Sequence, residues 1–161
     1  MPGQTLRPEE RIARALGRGG GPVAVAESCT GGLVAHRITR VPGSSAYFDR
    51  AFVVYSNRAK EEVLGVPSEV LARHGAVSEA CARAMLEGLF ARSPARIGAA
   101  VTGIAGPSGG TPEKPVGTVW IAWGRPGAIR TERLRFQGTR AEIQERTAEA
   151  VLERLAREAG G

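Results

Sequence analysis

The chain has 161 residues, 42% of them apolar and 24% charged, enough for one globular domain with a sizeable core. Its net charge of +6 sets 20 arginines and two lysines against fifteen glutamates and one aspartate, which leaves too few ligands for aspartate-rich magnesium sites. Two cysteines and two histidines are likewise too few for a disulfide framework or a structural zinc cluster.

In chain order, Pro8 to Arg18 reads as an amphipathic helix with Ile12, Ala15 and Leu16 on one face, stopped by Gly17 and the glycines at 19–21. Pro22 to Ala26 is a short apolar run of buried-strand type. After Gly31 and Gly32, Leu33 to Arg40 reads as a helix ending before Pro42. Ala51 to Tyr55 is a second strand, and Asn57 is placed to cap a helix through Leu64. Pro67 to Arg73 and Ser78 to Arg92 are further helices, the second with Ala82, Met85, Leu86 and Leu89 as a core stripe. Ile97 to Val101 is a third buried strand, and the glycine-rich stretch from Thr102 to Pro112 is a loop. Gly117 to Trp123 and Ile129 to Phe136 form a hairpin joined by residues 124–127. Thr139 and Glu142 make a capping box for a last helix reaching about Ala159.

These elements predict an α/β fold: a three-layer α/β/α sandwich whose mixed, mostly parallel sheet carries one antiparallel hairpin. Residues 1–161 are expected to form a single domain. No apolar run approaches the ~20 residues that span a bilayer, and the N-terminus lacks the apolar core of an export signal. A cytoplasmic protein without a membrane partner is expected. The arginines are dispersed and alternate with glutamates between Glu142 and Arg157, which describes a solvated surface rather than a nucleic-acid stripe.

In such sheets ligands bind beyond the carboxyl ends of strands, where Ser28, Tyr55 and Thr102 are all expected. Ser28 stands between a strand and a helix, a position suited to a nucleophile near free N–H groups. Lys60 and Lys114 are the only lysines, and a lysine, unlike arginine, can lose its proton when desolvated. With Asn57 as cap, Lys60 falls at the third helical position, where the dipole favours the neutral amine. Lys60 can then serve Ser28 as base, with Tyr55 relaying a proton or holding the lysine. The alternative is a surface lysine paired with Glu61 or Glu62. Cys29 is a competing nucleophile. Small residues from Thr102 to Gly110 offer N–H groups and hydroxyls to a phosphate or ribose, with Lys114 adding a point charge. Ser44 and Ser45 form a second hydroxyl-rich turn that either holds a phosphate or is an ordinary turn after Pro42. The spacing of a P-loop is absent.

Six segments taken together resemble the CinA C-terminal domain family: Ala-Glu-Ser-Cys-Thr-Gly-Gly (26–32), Val-Pro-Gly-Ser-Ser-Ala (41–46), Tyr-Ser-Asn-x-x-Lys (55–60), His-Gly-Ala-Val-Ser-Glu (74–79), Val-Thr-Gly-Ile-Ala-Gly-Pro (101–107) and Glu-Lys-Pro-Val-Gly-Thr-Val (113–119). The resemblance runs in order from about residue 8 to 158. It implies hydrolysis of the carboxamide of nicotinamide mononucleotide to nicotinate mononucleotide and ammonia, in pyridine-nucleotide recycling. It implies that Ser28, Tyr55 and Lys60 match the family's catalytic serine, tyrosine and lysine, and it implies no metal or organic cofactor. Thr30, Gly31 and Gly32 are then candidates for the oxyanion hole. The 5′-phosphate is expected on Ser44 and Ser45 or on the loop containing Thr102, Gly103 and Gly106. The chain resembles the stand-alone amidase form, without the molybdopterin-binding-like domain of many relatives, and a homo-oligomer, with a dimer favoured, is expected. Ser108 and Thr139 stand where relatives usually have aspartate, and Ala51 and Phe52 replace a glycine-containing pair. Rival readings are a non-catalytic nucleotide-binding module and a competence-related DNA-binding protein.

Overall fold

Five strands form one sheet through the centre of the computed structural model, which describes residues 3–160. Met1, Pro2 and Gly161 lie outside the described residues, and with them the first two positions of the segment read for an export signal. The strands are β1 (Val23–Glu27), β2 (Phe48–Val53), β3 (Ile97–Gly103), β4 (Thr118–Arg125) and β5 (Ala128–Arg135), in the spatial order β2-β1-β3-β4-β5. β1 pairs in parallel with β2 and β3, while β4 is antiparallel to β3 and β5. Four strands therefore point one way and β4 alone runs back. The helices are α1 (Pro8–Leu16), α2 (Leu33–Thr39), α3 (Asn57–Leu64), α4 (Ser68–His74), α5 (Glu79–Ala91) and α6 (Arg140–Gly160). The mixed α/β/α sandwich is the fold read from the sequence.

Alternation along the buried strands assigns the layers. Val23 and Val25 of β1, with Ala99, Val119 and Ile121, pack under α1, α2 and α6. Ala24 and Ala26, with Ala100 and Ala122, pack under α3 and α5. β1 lies between two partners and is buried at every position. That is why it reads as an unbroken apolar run until Glu27. The three helices of the first layer are tied by Glu9, which is 3% exposed and accepts two hydrogen bonds from Arg37 at 3.2 and 2.8 Å. Arg37 also meets Glu149 of α6 at 2.6 Å.

Boundaries moved where charge or capping misled the reading. β2 starts three residues before Ala51 and stops before Tyr55. It is an edge strand, and its Asp49 and Arg50 are polar residues tolerated at an edge but invisible to a search for apolar runs. The cap of α3 is Ser56, whose hydroxyl accepts from the Ala59 N–H at 3.0 Å, so Asn57 is the first helical residue. Lys60 therefore occupies the fourth helical position rather than the third. The β4–β5 connection tightens to Pro126 and Gly127, because Arg125 already pairs with Ala128. Among the described residues, no helix is long and apolar enough to cross a membrane.

Candidate active site

Adjacent residues at the end of β1 are sent to opposite faces of the sheet. Glu27 continues the Val23–Val25 side and reaches α2. Its carboxylate, fully buried, accepts hydrogen bonds from the Thr30 hydroxyl at 2.6 Å and from the N–H groups of Gly32, Val34 and Ala35 at 3.2, 2.9 and 3.0 Å. A buried anion thus occupies the N-terminus of α2, the end at which free N–H groups and the dipole favour negative charge. Ser28 turns the other way, toward α3, and its N–H donates to Val101 O of β3 at 3.1 Å.

On α3, Lys60 and Leu64 lie one turn apart on the buried face, so a lysine fills a core position. Lys60 is 1% exposed, and its Nζ lies 3.1 Å from Ser28 Oγ and 3.1 Å from the carbonyl oxygen of Tyr55. Burial pushes its pKa below the ordinary lysine value. Among the described residues no ion pair holds Lys60, whose Nζ donates to neutral oxygens alone. The surface pairing with Glu61 or Glu62 is therefore not formed. A desolvated amine with no counter-ion, in contact with a serine hydroxyl, has the geometry of a base poised to take the serine proton.

The cleft around this pair measures about 220 Å3 and is lined by Ser28, Cys29, Tyr55, Lys60, Thr102 and Arg140, among others. Tyr55 contributes in two ways. Its backbone carbonyl holds the lysine, while its phenolic oxygen accepts a hydrogen bond from Arg140 Nη2 at 2.7 Å. Arginine cannot accept, so the phenolic hydrogen points away from Arg140 and is free for the cleft. Arg140, the first residue of α6, also donates to Gly106 O at 2.6 Å. The Cys29 thiol is pushed up to about 12 by burial, which removes the thiolate that a cysteine nucleophile needs.

The CinA C-terminal domain family matches this chain over residues 6–159. The chain belongs to that family. It is 48% identical to a nicotinamide-nucleotide amidohydrolase PncC of Pseudomonas putida, covering 90% of this chain and 91% of that protein. It is 55% identical over 130 residues to a CinA-like protein of Akkermansia muciniphila, 80% of this chain but 31% of that protein. The chain thus spans about a third of the CinA-like relatives it matches. A crystal structure of a CinA superfamily protein from Klebsiella pneumoniae superposes with a TM-score of 0.90 at 39% identity, covering 94% of this chain and 95% of that one.

In this CinA domain the residues singled out from sequence fall into three groups. Ser28, Tyr55, Lys60, Thr102 and Gly103 meet in one cleft. The Thr102 hydroxyl is spent on Ala76 O at 2.9 Å, which pins the segment before α5 over the cleft. A Cβ on Gly103 would come within 2.9 Å of Thr118 O and 3.2 Å of Cys29 Sγ, so only glycine permits this approach. Thr30, Gly31 and Gly32 line a separate cavity of about 410 Å3 between α2 and α6. The Gly31 N–H donates to Ser28 O and the Gly32 N–H to Glu27, so neither is free for an oxyanion. Among the described residues no backbone carbonyl accepts from the N–H of Cys29 or Thr30. Ser44 and Ser45 lie before β2, beside the start of β1, roughly 16 Å along the strand from Ser28. The structure does not bring them to the cleft. Lys114 is also elsewhere, with its Nζ donating to His74 O at the end of α4. Sequence reasoning missed Glu27 and Arg140. A lone carboxylate closing an apolar strand was the available signal for Glu27. Arg140 gave none, since it reads as one more arginine beginning a helix.

Proposed function

We propose that this domain hydrolyses the carboxamide of nicotinamide mononucleotide, releasing nicotinate mononucleotide and ammonia. The observation that carries the reading is the contact of the buried Lys60 amine with Ser28 Oγ at the carboxyl end of β1. The kinship with the Pseudomonas amidohydrolase, covered over nearly its whole length, supports the reaction class.

In this reading neutral Lys60 takes the Ser28 proton as Oγ attacks the carboxamide carbon. The oxyanion is met by the N–H group of Cys29, the residue after Ser28 in the cleft lining. The carbon–nitrogen bond breaks as the leaving nitrogen takes a proton, from the Lys60 ammonium directly or through the Tyr55 hydroxyl, and departs as ammonia. Water then attacks the acyl ester with Lys60 again as base, giving the carboxylate and restoring Ser28. No step in this sequence calls on a metal or an organic cofactor. The nucleotide's phosphate is directed to the 102–110 loop and to Arg140, the cation besides Lys60 in the cleft lining, rather than to Ser44 and Ser45. A role in pyridine-nucleotide recycling, a cytoplasmic location and a homo-oligomeric assembly belong to the same reading.

The test is ammonia release by purified protein from nicotinamide mononucleotide, with the riboside and free nicotinamide as controls and Ser28→Ala as blank. Release from the mononucleotide that vanishes in the variant is expected. A wild-type rate equal to that of the blank overturns the proposal.

A further inference from the structure

A third cavity lies between the β4–β5 hairpin and the last turns of α6. It encloses about 360 Å3 and is lined by Trp123, Arg125, Arg130, Arg154, Arg157 and Glu158. That volume falls within the range of small-molecule sites. The fold builds it from a cross-strand pair, Trp123 opposite Arg130, and from Arg154 and Arg157 one turn apart on α6. β4 runs back along the sheet, so Gly124 pairs with Gly98 near the start of β3, at the edge away from Ser28. Arg154 stands 14 residues beyond Arg140 along α6, about 21 Å at the helical rise. This cavity and the Ser28 cleft are separate.

The four guanidinium groups are not equivalent. Arg125 donates to the Glu158 carboxylate at 3.0 Å and to its carbonyl at 3.2 Å. Arg154, with a side chain 12% exposed, donates to Glu132 at 2.9 Å and to Ala150 O at 2.8 Å, and lies over the Trp123 ring at 5.4 Å. These two are fixed in place. Arg130 and Arg157 are exposed, and among the described residues neither has a carboxylate partner. Elsewhere on its helix surfaces the chain sets arginine four residues from glutamate, as in Arg58–Glu62, Arg73–Glu69, Arg83–Glu79 and Arg146–Glu142. Here Arg157 also stands four residues from a glutamate, Glu153, but that carboxylate is taken by Arg11 at 2.8 Å, so Arg157 keeps only the like charge of Arg154 one turn away. Two guanidinium charges are left uncompensated over a cavity whose other walls are already rigid.

We propose that this cavity binds a small phosphorylated anion carrying at least two charges, a phosphate monoester or a pyrophosphate. Guanidinium forks match phosphoryl oxygens in pairs, and the two uncompensated charges match a dianion. A carboxylate offers one charge and two oxygens, and leaves one fork unused. A nucleic acid needs a stripe of cations along a surface, whereas these are gathered around one concavity. The site is independent of the amide chemistry at Ser28.

The test is calorimetric titration with inorganic pyrophosphate at fixed ionic strength. Three proteins are compared: wild type, Arg130→Ser/Arg157→Ser, and an Arg58→Ser/Arg73→Ser control with the same change in net charge on exposed residues of α3 and α4, in the other layer. A binding event is expected in wild type and control whose affinity is weakened at least roughly tenfold in the cavity variant, the scale of one charge-assisted hydrogen bond, whereas any binding at the Ser28 cleft is common to all three. The single variants Arg130→Lys and Arg157→Lys keep the charge and lose the fork, and are expected to fall between. Equal binding by all proteins, or none by wild type at millimolar pyrophosphate, overturns the site. So does a duplex oligonucleotide that binds through Arg130 and Arg157 while pyrophosphate does not.

Discussion

Lys60 joins two properties that conflict in a structural residue: it is buried, and among the described residues it has no counter-ion. Lys60→Arg keeps a charge but cannot deprotonate, so kcat is expected to fall by roughly 100-fold or more. Single-turnover kinetics on variants checked for fold by circular dichroism will show it. Near-normal turnover would remove Lys60 from the base role. Because burial lowers the folded-state pKa of Lys60, the wild-type rate should climb with pH through that lowered value. Stability follows the same sign. Between the lowered pKa and the ordinary lysine value the unfolded chain binds more protons, so stability rises with pH across that window. Lys60→Met should abolish this slope and raise stability near neutrality, as urea titrations at several pH values will measure. Ser28→Ala should end turnover while Cys29→Ala retains most of it, since the buried thiol stays protonated. Tyr47 tests the same desolvation logic without catalysis. Its hydroxyl is buried with no hydrogen-bond partner among the described residues, and Tyr47→Phe should stabilise the fold by about 1 kcal/mol in urea denaturation.

Elements built on apolar periodicity were legible from the sequence, and those shaped by charge or by contacts distant in sequence were not. β1, β3 and α5 fall within two residues of their sequence bounds because buried faces leave repeating apolar positions. β2 was displaced because an edge strand needs no such pattern. The cleft was half legible: Ser28, Lys60 and Tyr55 carry a spacing that motifs preserve. The Arg140–Tyr55 bond joins residues 85 apart, and nothing local announces it. The Ser44–Ser45 turn is a chemical pattern that topology places at the wrong end of a strand. At this scale the bond of Arg37 with Glu9 also makes a prediction. It joins α1 to α2 and, through Glu149, to α6, with side chains 13% and 4% exposed. Arg37→Ala leaves the buried Glu9 carboxylate only its longer contact with Arg7 at 3.9 Å, so a loss of about 3 kcal/mol is expected in urea midpoints at constant slope.

For the whole molecule, the +6 charge invites a nucleic-acid reading that its distribution opposes. Among the described residues nine arginines pair with glutamate, so much of the positive charge is locally compensated. Binding to duplex DNA, measured by fluorescence anisotropy, should be weak and should collapse between about 50 and 200 mM salt. Tight, sequence-selective binding at physiological salt would contradict this. The substrate's own charge belongs at this scale as well, because the glycine-rich loop and Arg140 converge on the cleft mouth from distant parts of the chain. The proposed amidase should show kcat/KM for the mononucleotide at least roughly tenfold above the riboside, about 1.4 kcal/mol of transition-state stabilisation. Equal values would mean that the loop serves another purpose.

Glu27 and Ser28 are neighbours in sequence and strangers in space, separated only by the phase of one strand. Adding or removing a single residue within β1 would invert that phase. The carboxylate would then swing toward Lys60 and give it the counter-ion it now lacks, while the serine would cap a helix. The same atoms would make a buried ion pair and a helix cap, two ordinary structural devices with no reactive group between them. The contact of serine with lysine in this fold is thus encoded as parity: whether the count of residues from Val23 is odd or even decides which of two neighbours, the carboxylate or the hydroxyl, faces Lys60.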